Sequence, residues 1–99
     1  MEKGVPHHKL SVVKALVEAG KVRRTYSAEA SAARMGLRVS DMLEIVKELA
    51  PANFYKSMTT HADHRVWQDV YHTKTAGGDA VYLKLTVIDD VLIVSFKEL

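Results

Sequence analysis

Residues 54–71 read FYKSMTTHADHRVWQDVY and bring together Lys56, Gln68, the aromatics Tyr55, Trp67 and Tyr71, and a pair of histidines at 61 and 64. The stretch from 81 to 98, VYLKLTVIDDVLIVSFKE, adds Tyr82, Lys84 and Lys97. Cations, phenols and an amide without a thiol suit acid–base work on a phosphodiester. In RNA the ribose 2′-hydroxyl attacks its own 3′ phosphate. A base takes the 2′ proton, an acid protonates the 5′ oxygen, and cations hold the extra charge on phosphorus. Lys56, Tyr82, Lys97 and the histidines could divide these roles. A lysine titrates near 10.4, so to act as base it must fall by about 3, a cost of about 4 kcal/mol. Otherwise it serves better as a phosphate clamp. A tyrosine works as an acid only where cations stabilise its phenolate.

Other chemistries lose ground on the same residues. The chain has no cysteine, which excludes disulfides and thiolate metal sites and fits a reducing compartment. His61 and His64 flank Asp63, and His7-His8 is a second pair, but zinc asks for three or four ligands in fixed geometry. Neither pair makes a metal site, and no metal or cofactor is expected. Gly77-Gly78 lacks the spacing and the Lys-Ser/Thr of a phosphate loop, and no Gly-x-Ser-x-Gly elbow occurs.

The elements that must carry these residues divide the 99-residue chain in two, though its length allows one domain, residues 1–99. The first half is helical. LSVVKALVEAG sets Leu10, Val13, Leu16 and Val17 on one face and ends at Gly20. SAEASAARMG opens on Ser27 as N-cap and stops at Gly36. SDMLEIVKELAP opens on Ser40, lines up Met42, Ile45, Val46 and Leu49, and ends before Pro51. The second half predicts four strands. FYKSMTTH and RVWQDVYH flank a turn at 62–64. VYLKLTVI and VLIVSFK flank a two-residue loop, Asp89-Asp90, and residues 73–80 join the hairpins. The expected class is α+β, with short N-terminal helices packed on an antiparallel sheet.

With Asp89-Asp90 as the loop, Ile88 pairs with Val91, Leu83 with Phe96 and Tyr82 with Lys97. Alternation then sends Val81, Leu83, Leu85, Val87, Leu92, Val94 and Phe96 to the core. Tyr82, Lys84, Thr86, Ser95 and Lys97 share the other face. Solvation alone would account for a polar face, since an open antiparallel sheet ordinarily has one wet side. Its tyrosine between lysines, however, suits a phosphate backbone with a base stacked nearby. The first hairpin is less constrained. An odd loop keeps Lys56 and Gln68 on one face and a two-residue loop separates them, and apolar alternation does not decide between the two.

FYKSMTT followed by WQDVY, VYLKLTVIDDVLIVSFKE at the end, and PHHKLSVVKALVEAGKVR at the start resemble the MqsR family of bacterial toxins. The resemblance covers essentially the whole chain and is loosest over residues 28–50. It implies a RelE-like fold and an mRNA interferase, the endoribonuclease toxin of a type II toxin–antitoxin system. Such an enzyme cuts at GC-containing triplets, without metal and without the ribosome, and so inhibits translation under stress. It implies a cognate MqsA-like antitoxin, with operator DNA contacted only through that antitoxin. The family's catalytic lysine, glutamine and tyrosine fall on Lys56, Gln68 and Tyr82. Tyr55, Met58 and Lys97 match positions near that site, and His7 matches a histidine near the family's N-terminus and is expected to bind RNA with them. The odd loop is preferred partly on this ground. Tyr55 and Met58 would then pack against a base, unless strand parity puts them in the core. His72, Lys84 and Lys97 would contact phosphates, unless Lys84 only protects the sheet from aggregation. The chain departs from the pattern at His72, where an arginine is expected, and at Asp89, where a histidine is. Its 71–80 loop is one residue longer. These changes bear on sequence preference and rate more than on reaction type.

The net charge, +2, is compatible with a polyanion partner without requiring one. No apolar run reaches the ~20 residues of a membrane span, and MEKGVPHHKL is not a signal peptide. The expected location is the cytoplasm, with no membrane partner. A non-catalytic RNA-binding module or a protein-interaction module would use the same face. Both predict binding without strand scission.

Overall fold

The computed structural model describes residues 1–99. The element order is β1 (Glu2–Lys3), α1 (Leu10–Glu18), β2 (Val22–Arg24), α2 (Tyr26–Arg34), α3 (Val39–Lys47), a 3₁₀ turn (Pro51–Asn53), β3 (Phe54–Thr59), β4 (Trp67–Lys74), β5 (Ala80–Ile88) and β6 (Val91–Glu98). The result is an α+β fold, consistent with the RelE-like arrangement. The sheet has six strands, in the order β1-β3-β4-β5-β6-β2. Four strands were expected. The two extra ones are both short edge strands, β1 antiparallel to β3 and β2 parallel to β6. Two or three residues are too few for alternation to register, so neither could be read from pattern.

Helix ends follow from backbone chemistry. After α1 the amide of Gly20 (φ +72°) donates to Val17 and that of Lys21 to Leu16. After α2, Gly36 (φ +73°) and Leu37 repeat the arrangement on Ala33 and Ala32. Both are Schellman ends, which need a left-handed residue. The starts differ from the expected caps. Thr25, not Ser27, caps α2 by accepting from the Ala28 amide at 3.1 Å. Helix α3 starts at Val39, and the Asp41 carboxylate accepts the Arg38 amide at 2.8 Å. Ser40 lies inside its first turn. In each case a better-placed oxygen nearby took the orphan amide.

The core lies between the helices and one sheet face. Val13, Val17, Ala28, Ala32, Met42, Val46 and Leu49 meet Tyr71, Val81, Leu83, Leu85, Leu92, Val94 and Phe96. The last hairpin has the expected register, from Ile88↔Val91 to Tyr82↔Lys97. Asp89 and Asp90 both have positive φ, 52° and 60°, as a two-residue type I′ loop requires. In the first hairpin Met58 pairs with Gln68 and Thr60 donates to the Val66 carbonyl, enclosing an odd loop at 61–65. Strand β4 begins two residues later than expected and runs on to Lys74. No helix is long and apolar enough to cross a membrane.

Candidate active site

The sheet face turned away from the helices carries its polar groups in cross-strand rows. One row is His72, Tyr82 and Lys97, on β4, β5 and β6. The next is Lys56, Val70, Lys84 and Ser95. The third holds Glu2, Met58 and Gln68. Val70 is fully buried and gives the face an apolar floor. Lys56, Gln68, Tyr82, Met58, His72, Lys84 and Lys97 therefore share one surface. Thr86 belongs to it by alternation but is buried, its hydroxyl donating to the Trp67 carbonyl at 2.6 Å.

Tyr55 joins this face through a break in the ladder. Phe54 pairs with Tyr71 and Lys56 with Val70, so a β-bulge leaves Tyr55 as an extra residue. Strict alternation would send Tyr55 to the face opposite Lys56. Instead its ring stacks on His72, with centroids 4.3 Å apart and planes 20° from parallel. Phe54 packs edge-on against Tyr71 in the core. Tyr55 is 54% exposed, so neither it nor the half-buried Met58 belongs to the core.

Lys56 has a partner that pattern reading did not find. Its Nζ donates to Glu2 Oε2 at 2.7 Å. That hydrogen bond, with the charge of Glu2 and smaller contributions from the Tyr55 and Tyr82 phenols, raises the lysine above its ordinary value and outweighs its desolvation. The same bond pulls the Glu2 carboxyl down. The two shifts agree: this is an ion pair across neutral pH, and Lys56 is a cation there, not a base. Glu2 comes from a two-residue strand, and no spacing in the sequence connects it to Lys56.

The row beside it is aromatic and cationic. His72 lies between Tyr55 and Tyr82, its centroid 5.4 Å from the latter. Its Nε2 is buried without a hydrogen-bond partner. Lys97 Nζ sits 4.9 Å from the Tyr82 ring centroid, a cation–π contact. A hollow of about 440 Å³, lined by Asn53, His72, Thr73, Lys74, Ala80 and Leu99, opens beside this row.

His7 lies elsewhere. Lys3 pairs with Ser57 and so points to the helix face of the sheet edge, where its Nζ donates to His7 Nδ1 at 2.8 Å. The His7 ring stacks on Trp67. Burial, then the charge of Lys3, lowers the His7 value and favours the neutral ring. Behind it the buried Asp69 carboxylate accepts from the amides of His7 (2.9 Å) and His8 (2.8 Å) and from the Ser57 hydroxyl (2.6 Å). This clamp ties the N-terminal segment to the sheet and sets β1 beside β3. His7 thus supports the edge strand and is not gathered with Lys56 and Tyr82. His61 and His64 are exposed in the turn, and no group of three metal-ligating side chains converges anywhere in the chain.

Residues 5–98 match the family described as "Motility quorum-sensing regulator, toxin of MqsA". The mRNA interferase toxin MqsR of Escherichia coli (strain K12) is 55% identical over 98 residues, which is 99% of this chain and 99% of that one.

Proposed function

Because this chain belongs to the MqsR family of toxins, we propose that it is an mRNA interferase. In this reading it is the endoribonuclease of a type II toxin–antitoxin pair, acts in the cytoplasm as a single domain, and is held inactive by an MqsA-like antitoxin. Cleavage is metal-independent and ribosome-independent, at GC-containing triplets. The observation that carries the reading is the gathering of Lys56, Gln68, Tyr82 and Lys97 on one open sheet face, with Tyr55 and His72 stacked beside them.

The geometry supports a division of labour. Lys56, held protonated, clamps the scissile phosphate and stabilises the charge that builds on it. Tyr82 is the acid toward the departing 5′ oxygen, with the Lys97 ammonium 4.9 Å from its ring centroid. Gln68 orients the phosphate or a base by hydrogen bonds. The exposed ring of Tyr55 offers a stacking platform for one base, and Met58, two rows along the same face, packs against another. Lys84 holds a neighbouring phosphate. His72 braces the platform through its stack.

The test is cleavage of a defined single-stranded RNA containing every GC triplet, in EDTA, with the ends mapped. The expected result is site-specific cuts leaving 5′-hydroxyl ends. Lys56→Ala should reduce the rate by at least ~100-fold, the scale of a transition-state charge contact, and Tyr82→Phe should impair it, both with the fold intact. Uncut RNA that is nonetheless bound would overturn catalysis in favour of a binding module.

A further inference from the structure

We propose that Glu2 is the general base of the cleavage step, taking the 2′-hydroxyl proton of the RNA while Lys56 transfers from Glu2 to the scissile phosphate. The inference rests on the ribonuclease reading above and adds to it the residue that removes the proton.

The face described above lacks a base until Glu2 is counted. Lys56 is already protonated, an amide such as Gln68 has no useful basicity, and the His72 Nε2 is buried under Tyr55. His7 is on the other side of the sheet. Among the strand carboxylates, Asp69 and Glu98 share the parity of Leu85 and Val81 and face the helices. Glu2, opposite Met58, faces the substrate side. Its side chain is 59% exposed, and only Oε2 is engaged, with Lys56 at 2.7 Å. Oε1 is open to an incoming hydroxyl. A carboxylate next to a phosphate-binding cation is where a base for this reaction is needed, since the attacking 2′ oxygen and the phosphorus are adjacent on the same nucleotide.

The ion pair also explains how the base is switched on. Bare Glu2 would repel the RNA backbone, and its bond to Lys56 neutralises it while the site is empty. When a phosphate oxygen takes over Lys56, Glu2 loses the contact that depresses its basicity. The carboxylate becomes a stronger base as the substrate docks. The groups facing it from neighbouring positions are Lys56 and the chain's terminal ammonium, with Tyr55 and Tyr82 acting on Lys56. In the step itself the 2′ O–H proton passes to a Glu2 oxygen and the 2′ oxygen bonds to phosphorus. The bond from phosphorus to the 5′ oxygen breaks, and that oxygen takes a proton from Tyr82. The products are a 2′,3′-cyclic phosphate and a 5′-hydroxyl, with no change of oxidation state.

The experiment compares wild type, Glu2→Gln, Glu2→Asp and Lys56→Met in single-turnover cleavage between pH 4 and 9. Affinity is measured in parallel for the same RNA carrying a 2′-deoxy nucleotide at the cut site. Glu2→Gln should lower the rate ~100- to 1,000-fold, the usual range for a lost acid–base group. It should bind the deoxy RNA as tightly as wild type or tighter, and lose the acid limb of the pH profile. Glu2→Asp should keep part of the rate and the acid limb. A Glu2→Gln rate within about threefold of wild type overturns the assignment, while Lys56→Met inactivity would leave the ribonuclease reading standing. Intact RNA with wild type overturns both. The Thr59 amide, bonded to the Met1 carbonyl at 3.0 Å, reports whether β1 stays paired. A rate loss in Glu2→Gln that comes with loss of that amide's exchange protection, and that Glu2→Asp does not restore, also overturns it. Glu2 would then serve only to hold the strand.

Discussion

Tyr71 shows how one hydroxyl can tie stability to pH. The side chain is 1% exposed, and its oxygen is buried without a hydrogen-bond partner. Burial first, then the nearby Asp69, pushes the phenol from 10.0 up to about 12. The folded state therefore keeps this proton more tightly than the unfolded chain does. The stabilisation is fully present below pH 10 and is lost as the pH rises toward 12. Relative to a Tyr71→Phe variant, wild type should lose about 2 kcal/mol between these limits. Urea unfolding of both proteins from pH 8 to 12 measures it. At neutral pH the variant should match or exceed wild type, because it removes an unsatisfied polar atom from the core. At this scale the candidate site was partly legible. Lys56, Gln68 and Tyr82 were recognisable by the motifs around them, and Lys97 by counting from the Asp89-Asp90 loop. Glu2 was not legible, because its bond to Lys56 joins residues 54 apart in sequence and no period links them. His7 was assigned to the RNA face by resemblance, although its actual partners are Lys3, Trp67 and Asp69.

Among the elements, the last hairpin was read correctly down to its register, because two facing seven-residue alternations and a two-residue turn leave little freedom. The first hairpin resisted, since its parity is blurred by the bulge at Tyr55 and by polar residues on both faces. Ser57 and Asp69 face inward and are satisfied by each other and by backbone amides, a pattern that looks outward-facing in sequence. Helix ends were placed well where glycine fixed them and less well at the caps. The β5–β6 turn carries a residual cost that can be removed. Asp89 and Asp90 hold left-handed angles that asparagine and glycine adopt more easily. Asp89→Asn with Asp90→Gly should raise stability by roughly 1 kcal/mol, as thermal melts would report. A drop in Tm would mean that the carboxylates make the turn in some other way.

For the whole molecule, the distribution of charge matters more than its sum. The net charge is +2, but Lys56, Lys84 and Lys97 are set on one face. Three phosphate contacts on single-stranded RNA should give an affinity falling with log salt at a slope of about −2. Lys84→Ala should lower that slope by about 0.7 for every RNA sequence alike. Titrations of uncleavable RNA across salt concentrations test this, and an unchanged slope would remove Lys84 from the contact set. The α+β class and the division into a helical and a strand half followed from periodicity. The closure of the sheet did not, because β1 and β2 come from the helical half and pair with strands distant in sequence.

The parallel pairing of β2 with β6 joins Val22 to Leu92 and Arg24 to Val94. Strand β6 also supplies Leu92, Val94 and Phe96 to the core and Lys97 to the polar face. Without this strand the core cannot close and the Tyr82 row has no final cation. Folding waits on long-range closure across most of the chain. Core and polar face are thereby completed in one step, so a loosely folded chain that already carries the full cationic row does not form.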